Sequence, residues 1–236
     1  LQNGLTQTHQ NNMGAFGGPD IITDGLVYAI DPGSTRSYSG SGTIVNNIVG
    51  TNTATLLNGV VVSTSNGGNF DFDGSDDNIN CGIPITFTAT FSMNFFFKTT
   101  SSASTKLLFG MYNGSGADWW IGTLGGGTFN FSFGSPTKSD IASTTTVTDG
   151  SWHMGTCVYD SSVNSIFLYI DGSLENSSNT IPSSVTQPGG NMRIGRFGDS
   201  GGFYWPGNLA NLQIYNRALS AAEISQNYNA QKNRFI

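Results

Sequence analysis

The stretch DGSWHMGTCVYDSSVNSIFLYIDG, residues 149–172, is written for strands and turns. Ile166, Leu168 and Ile170 fall on one side of an extended chain, and Phe167 and Tyr169 on the other, because successive strand side chains point to opposite faces. Residues 151–160 read as a further strand. The flanking Asp149-Gly150 and Asp171-Gly172 are dipeptides that accept the backbone conformations of tight turns.

The same period recurs outward from this stretch. Phe91, Met93, Phe95 and Phe97 share one face of FSMNFFFKTT, and Phe129, Phe131 and Phe133 share one face of TFNFSFG. TKLLFGMY, DWWIGTL, GNMRIGRF and GNLANLQIY read as further strands, and the glycines at 125–127 join two strands as a hairpin. Roughly a dozen short strands with regular turn signals predict an all-β, two-sheet antiparallel sandwich or jelly roll. One short helix is predicted near the C-terminus, where Ser220 and Glu223 form a capping box ahead of good helix formers.

Composition narrows the function. Charged residues make up 10% of the 236, the net charge is −6, and glycine numbers 32, against about 25% charged residues in ordinary soluble domains. Nine scattered basic residues do not make the clustered patch that nucleic acid or an anionic membrane requires. No run approaches the length of a membrane-spanning helix. Residues 1–19 carry no lysine, arginine or carboxylate and lack the basic and apolar regions of a secretion signal. They are expected to form a flexible N-terminal arm, with residues 20–236 as one domain. Residue 1 is leucine, so the chain is expected to be a processed product or part of a longer polypeptide. Cys81 and Cys157 fit no metal spacing and are expected as buried thiols, able to pair only if their strands are neighbours.

GNFDFDGSDDNI, DGSWHMGTCVYD, IFLYIDG, MRIGRF and LQIYNRALSAAEI, in that order, resemble the laminin-G-like, concanavalin-A-like jelly-roll domains. Residues 17–43 and 228–235 resemble, more narrowly, versions of this module in structural proteins of marine tailed bacteriophages. The resemblance implies two curved antiparallel sheets and binding through rim loops or the concave face. Many relatives bind glycans, and many bind calcium.

Asp71, Asp73, Asp76 and Asp77 crowd around Gly74, and three readings compete. In the first, DGSDD is a turn after a strand whose inward residues are Phe70 and Phe72, with Asp73 or Asp76 accepting backbone N–H groups. In the second, Asp73, Asp76 and Asp77 are calcium ligands, calcium being the one cofactor left open; six to eight oxygens are then needed. The resemblance places an acidic partner before LQIYNRALS, where this chain has Asn208 and Asn211. The third, catalysis, needs two carboxyl groups flanking a glycosidic bond. Glu175 and Glu223, the only glutamates, lie on different elements. His153 is expected to be structural, and His9 lies in the arm.

Sugar recognition pairs an aromatic platform with amides and hydroxyls. Two stretches qualify: Tyr112, Asn113, Asp118, Trp119 and Trp120 in one, and Asp199, Phe203, Tyr204, Trp205 and Asn208 in the other. The reading is a non-enzymatic virion surface protein, a capsid decoration or fibre-associated module, displaying a lectin-like fold outside the cell. Its expected partners are other virion proteins, reached through the N-terminal arm, cell-surface polysaccharide, and further copies of itself as a homo-oligomer. The alternative is a carbohydrate-binding module of a secreted bacterial enzyme or adhesin.

Overall fold

The computed structural model describes residues 19–102, 104–114, 118–134, 138–181, 185–199 and 201–235. The arm expected over residues 1–19 therefore lies, but for Pro19, outside the described residues. In chain order the first strands are β1 (Leu26–Ile30), β2 (Ile44–Asn46), β3 (Thr53–Leu57), β4 (Val61–Ser63), β5 (Asn69–Asp73) and β6 (Asn78–Asn80). Then come β7 (Phe91–Lys98), β8 (Lys106–Met111), β9 (Trp119–Thr123), β10 (Thr128–Phe133) and β11 (Ser139–Thr146). The last are β12 (His153–Asp160), β13 (Ser165–Ile170), β14 (Ser173–Ser178), β15 (Met192–Ile194) and β16 (Pro206–Tyr215), followed by the helix α1 (Ala221–Gln231).

The strands form two sheets, antiparallel throughout. The first has the order β14-β13-β12-β7-β16-β5-β4, with β1 also paired to β16; the second runs β11-β10-β9-β8-β15-β6-β3-β2. This is the two-sheet jelly-roll sandwich with one short C-terminal helix that the alternation predicts. The strands outnumber the dozen expected because β2, β4, β6 and β15 span three residues each, too few for a period of two to show.

The inward rows make the core. Phe91, Met93, Phe95 and Phe97 of β7 meet Phe129, Phe131 and Phe133 of β10, all fully buried. Phe97 stacks on Phe129 with centroids 4.4 Å apart, and Phe95 meets Phe109 edge-on at 4.7 Å. Burying each such ring stabilises by about 1.5–3 kcal/mol. Cys81 and Cys157 are free and buried in this core, on opposite sheets. The outward residues of the first sheet are not left to water. Phe96, Met154, Val158 and Tyr215 pack beneath Ile224 of α1 and Phe235, forming a second apolar cluster. Ser220 caps α1 by accepting from the Glu223 N–H, and the Glu223 side chain accepts from the Ser220 N–H.

Side chains close the structure where the backbone cannot. On one side of the sandwich Glu175 of β14 reaches across to β11. There it accepts from the N–H groups of Thr144 (2.8 Å) and Thr145 (3.1 Å) and from both hydroxyls. Arg234 donates to both carboxylate oxygens of Asp31 at 2.7 and 2.9 Å and to the carbonyls of Gly67 and Gly68. The two Asp-Gly turns behave differently. Asp171-Gly172, both at positive φ (52° and 81°), makes the β13–β14 hairpin, whereas Asp149-Gly150 carries the chain from the second sheet to the first.

His153 ties these turns together. Its Nδ1 lies 2.9 Å from Asp171 Oδ2 and its Nε2 lies 3.3 Å from Asp149 Oδ1. Partial burial works against a positive charge, but the hydrogen bonds and charges of Asp171 and Asp149 outweigh it and hold the imidazole above its ordinary 6.5. A raised folded value means that this stabilisation is complete below the unfolded pKa and is lost as pH rises through the folded one. The melting temperature is therefore expected to fall as the pH rises above about 6.5, the ordinary imidazole value. In His153→Gln that slope should disappear; a variant that keeps it would show that another group carries the titration.

Candidate functional site

The aspartate cluster resolves into a turn with its own internal bonding. Asp73 Oδ1 accepts from the Ser75 N–H at 2.7 Å, an Asx-turn, and Asp77 Oδ2 accepts from the Asp73 N–H at 3.0 Å. The Asp76 carbonyl takes the side-chain amides of Asn58 and Asn78. One oxygen from each of Asp73, Asp76 and Asp77 lies within 4.8 Å of the others. The exposed Asp73 is held below the usual carboxylate range by the Ser75 N–H. Asp77 is raised, by burial and by the charges of Asp73, Asp76 and Asp71.

Calcium takes six to eight oxygens, and this group brings three carboxylates. The amides that stand where the acidic partner was expected are engaged elsewhere. Asn208 donates to Asn69 Oδ1 at 3.0 Å, while Asn211 accepts from the Phe96 N–H and donates to Gln231. Asp73, Asp76 and Asp77 thus converge closely enough to hold a cation, with any further oxygens coming from groups other than Asn208 and Asn211.

The aromatic candidates divide between core and surface. Trp119 and Trp205, expected at a ligand, are instead fully buried. In β9 the pleat sends Trp119 inward, onto Phe87 at 4.8 Å, and Trp120 outward. Trp205 closes the core beside Phe97, with centroids 6.0 Å apart. Asp118 is largely buried and ion-paired with Lys138.

The remaining candidates meet over the outer face of the second sheet. Cross-strand register there aligns Arg193, Gly110, Trp120, Ser132 and Asp140 in one row. Residues 195–199 lie over its centre. A side chain at Gly110 would run into Phe197 and the Gly198 nitrogen, and one at Gly198 into the Tyr112 backbone. Tyr112 stacks on Phe197 at 4.7 Å and 10°, and Phe203 meets Phe197 edge-on at 6.2 Å. The Arg196 guanidinium lies over the Tyr204 ring at 5.4 Å.

Hydrogen bonds fix this loop. The Asp199 N–H donates to the Tyr112 carbonyl at 2.7 Å, and the Phe197 N–H to the Gly202 carbonyl at 3.0 Å. Asp199 itself accepts from Arg193 Nε at 2.7 Å and from the Asn191 N–H at 2.8 Å, which hold its carboxyl below the usual range despite partial burial. Asn113, beside Tyr112, is exposed, and its side chain lies where a Cβ on Gly189 would have to go. Phe197 and Arg196 were missed by sequence reasoning, since RIGRF reads as strand; the glycines on either side of them were the available signal.

A cleft on the other sheet was missed altogether. One hollow of about 470 Å³ is lined by Asn66, Lys98, Ser151, Trp152 and Phe235, and a second of about 340 Å³ by Thr99, Thr100 and Pro206 to Asn208. They share Lys98 and Gly150.

Asp77→Asn separates the turn from a metal site. The amide oxygen still accepts the Asp73 N–H while the crowded charge is gone. The melting temperature should stay level or rise, and chelation of the wild type should lower it by less than about 5 °C. A variant less stable only when calcium is present would restore the metal reading.

No curated protein sequence matches the chain. Among solved structures, the binding domain of Paraclostridial Mosquitocidal Protein 1 aligns with a TM-score of 0.69 and 15% identity, over 87% of this chain and 52% of that one. The receptor-binding domain of botulinum neurotoxin C/D mosaic serotype gives 0.70 and 14%, over 89% and 52%. The ligand-binding domain of botulinum neurotoxin serotype D, in complex with N-acetylneuraminic acid, gives 0.69 and 15%, over 89% and 52%. At such identities the likeness is one of fold, and this chain spans about half the length of each. A family model, Laminin_G_3, described as the concanavalin A-like lectin/glucanases superfamily, matches residues 73–225. With the two jelly-roll sheets beneath that match, the chain belongs to the Laminin_G_3 family of concanavalin A-like domains.

Proposed function

We propose that this chain is a non-enzymatic, lectin-like module that takes a glycan on the platform of Tyr112, Phe197, Phe203 and Tyr204. Phe203 carries the reading. It is 52% exposed and sits at φ 59°, in the left-handed region. A bulky residue there costs about 1–3 kcal/mol, and such strain clusters at binding sites. An exposed ring recovers little of that cost by burial, whereas a pyranose packed on it would. Asn113, Asn191 and Trp120 supply polar and aromatic surface around the platform.

The two glutamates support a binding role over a hydrolytic one. Hydrolysis needs an acid of raised pKa paired with a second carboxylate. Arg217 holds Glu223 down to about 2. Glu175, despite some burial, is held below its usual range by Thr144 and Thr145. The first caps α1 and the second seals β14 to β11. The sugar named with the serotype D domain supports the same reading for this fold.

Display on a virion surface, as a capsid decoration or fibre-associated protein, rests on the resemblance of residues 17–43 and 228–235 to marine phage structural proteins. A module of a secreted bacterial protein is the alternative, and the toxin receptor-binding domains favour it. In either setting residues 1–19 serve as the attachment segment, to another protein or to a second copy.

Phe203→Gly tests the platform. Glycine relieves the strain, so stability should hold or rise by up to about 1 kcal/mol. Retention on immobilised polysaccharide should fall at least tenfold; unchanged retention would remove the platform from binding. Deleting residues 1–19 should leave the melting temperature unchanged while abolishing particle incorporation or self-association. Normal assembly by the truncated chain would move attachment to the sandwich itself.

A further inference from the structure

The seam between the two sheets on the β11 and β14 side is closed without a backbone ladder. β14 is an edge strand of the first sheet and β11 of the second, and no backbone hydrogen bond among the described residues joins them. Side chains join them instead, and the two ends of the seam differ in chemistry. At one end the hydroxyls of Ser139, Ser178 and Thr180 bond to one another, and Asn176 beside them donates to the Ala142 carbonyl at 3.0 Å. At the other end stands a single carboxylate, Glu175.

Two β-bulges face each other there. Thr128 lies opposite Thr146 and Asn130 opposite Ala142, so a step of two residues in β10 is matched by four in β11. Ser143 holds this bulge, its Oγ accepting from the Phe129 N–H at 2.9 Å and donating to the Thr145 carbonyl at 2.7 Å. The successive N–H groups of Thr144 and Thr145 then converge on one oxygen, a concavity of the kind that takes an anion. In β14 the register passes over Glu175, with Leu168 opposite Asn176 and Tyr169 opposite Leu174, and a bulge re-aims its side chain. The Glu175 carboxylate fills the concavity, where the two threonine hydroxyls also donate to it.

No cation among the described residues pairs with Glu175. On β11 the one charged residue is Asp140, opposite Ser132, and Lys138 ahead of it is paired with Asp118. β13 brings Tyr169, opposite Leu174. α1 approaches β14 at Gly172 through Tyr228 and Ser225, its Glu223 is held by Arg217, and Asp171 in the turn faces His153. The charge of Glu175 therefore rests on hydrogen-bond donors. Partial burial alone would raise this carboxyl, but Thr144 and Thr145 outweigh it and hold it below the ordinary 4.5. A lowered folded value means that the stabilisation is present above the unfolded pKa and is lost as pH falls through the folded one. A protonated carboxyl is a weaker acceptor, and one of its oxygens becomes a donor facing donors.

We infer that Glu175 and the β11 bulge form an acid-operated latch between the two sheets, closed while the carboxylate is charged and released by its protonation. The neutral hydroxyl cluster at the far end is the hinge. Release is local: β14 parts from β11 at Thr144 and Thr145, one strand edge of each sheet is bared, and the aromatic core stays closed. The latch does not depend on the Phe203 platform.

The test follows the Thr144 and Thr145 amides of the full chain by NMR from about pH 7 to about pH 3, a range that spans carboxylate titration. Both resonances should titrate together with a midpoint below 4.5. Nuclear Overhauser contacts between Glu175 and these threonines should vanish below the midpoint, while those among Ser139, Ser178 and Thr180 and the resonances of β7 persist. In Glu175→Gln both amides should stand at their acid positions at neutral pH and not titrate. Thr145→Val, which keeps the N–H and the branched shape but loses one donor, should raise the midpoint. Contacts that survive below the midpoint, or a midpoint at or above the ordinary value, would overturn the latch. So would loss of the β7 resonances at the same pH, which is unfolding of the whole domain, or a titration that persists in Glu175→Gln.

Discussion

Phe97 is the ring on which the separate parts of this structure converge. Its stack on Phe129 joins one sheet to the other. Its edge meets Trp205, where the platform loop enters β16, and its neighbour across β12 is His153, the tie between the two Asp-Gly turns. Three functions of the fold, sheet pairing, loop anchorage and turn closure, thus draw on one buried side chain. Offset and edge-on aromatic pairs add about 0.5–1.5 kcal/mol beyond their buried area. Their geometry also fixes the position of each neighbour, which is what a preformed loop requires.

The alternating phenylalanine rows were legible because a period of two survives even in short strands, and the capping box was legible because it is local. The aspartate turn was legible for the same reason: Asp73 and Ser75 need nothing distant. What the residues alone did not separate was burial from display among the tryptophans. Trp119 and Trp120 are adjacent, and only the register of β9 between β8 and β10 decides which of them turns inward. Aromatic density signals core and ligand alike, so Trp205 read as a surface candidate until β16 was seen to begin beside Phe97. The Lys98 cleft had no local signature at all. Its lining comes from five separate segments, between Asn66 and Phe235, each unremarkable where it stands.

The family match begins at residue 73 and ends at 225, yet the sheets do not stop there. β1 pairs with β16 and β4 with β5, and the Arg234 guanidinium joins Asp31 to the carbonyls at 67 and 68. The flanking segments are thus bound to one another across the outside of the common module. Polar groups of low charge do much of this closure. Asn227, for example, accepts from the Ile22 N–H and donates to Tyr215. A chain with 10% charged residues has to seal its seams with amides and hydroxyls.

Beneath α1 the first sheet carries more than apolar side chains. Asn94 and Thr156, paired across β7 and β12, are fully buried, and neither finds a side-chain partner among the described residues. Gln213 flanks Asn94 on the other side. The helix therefore rests on a base that is part oil and part amide, and its seat is weaker than the apolar interior on the far side of the same sheet. Stability in this protein is layered, not uniform. The helical cap and the strip it covers form the unit of lower opening energy. Amide protons of α1 will exchange with solvent ahead of those in β7, while the sandwich keeps its shape.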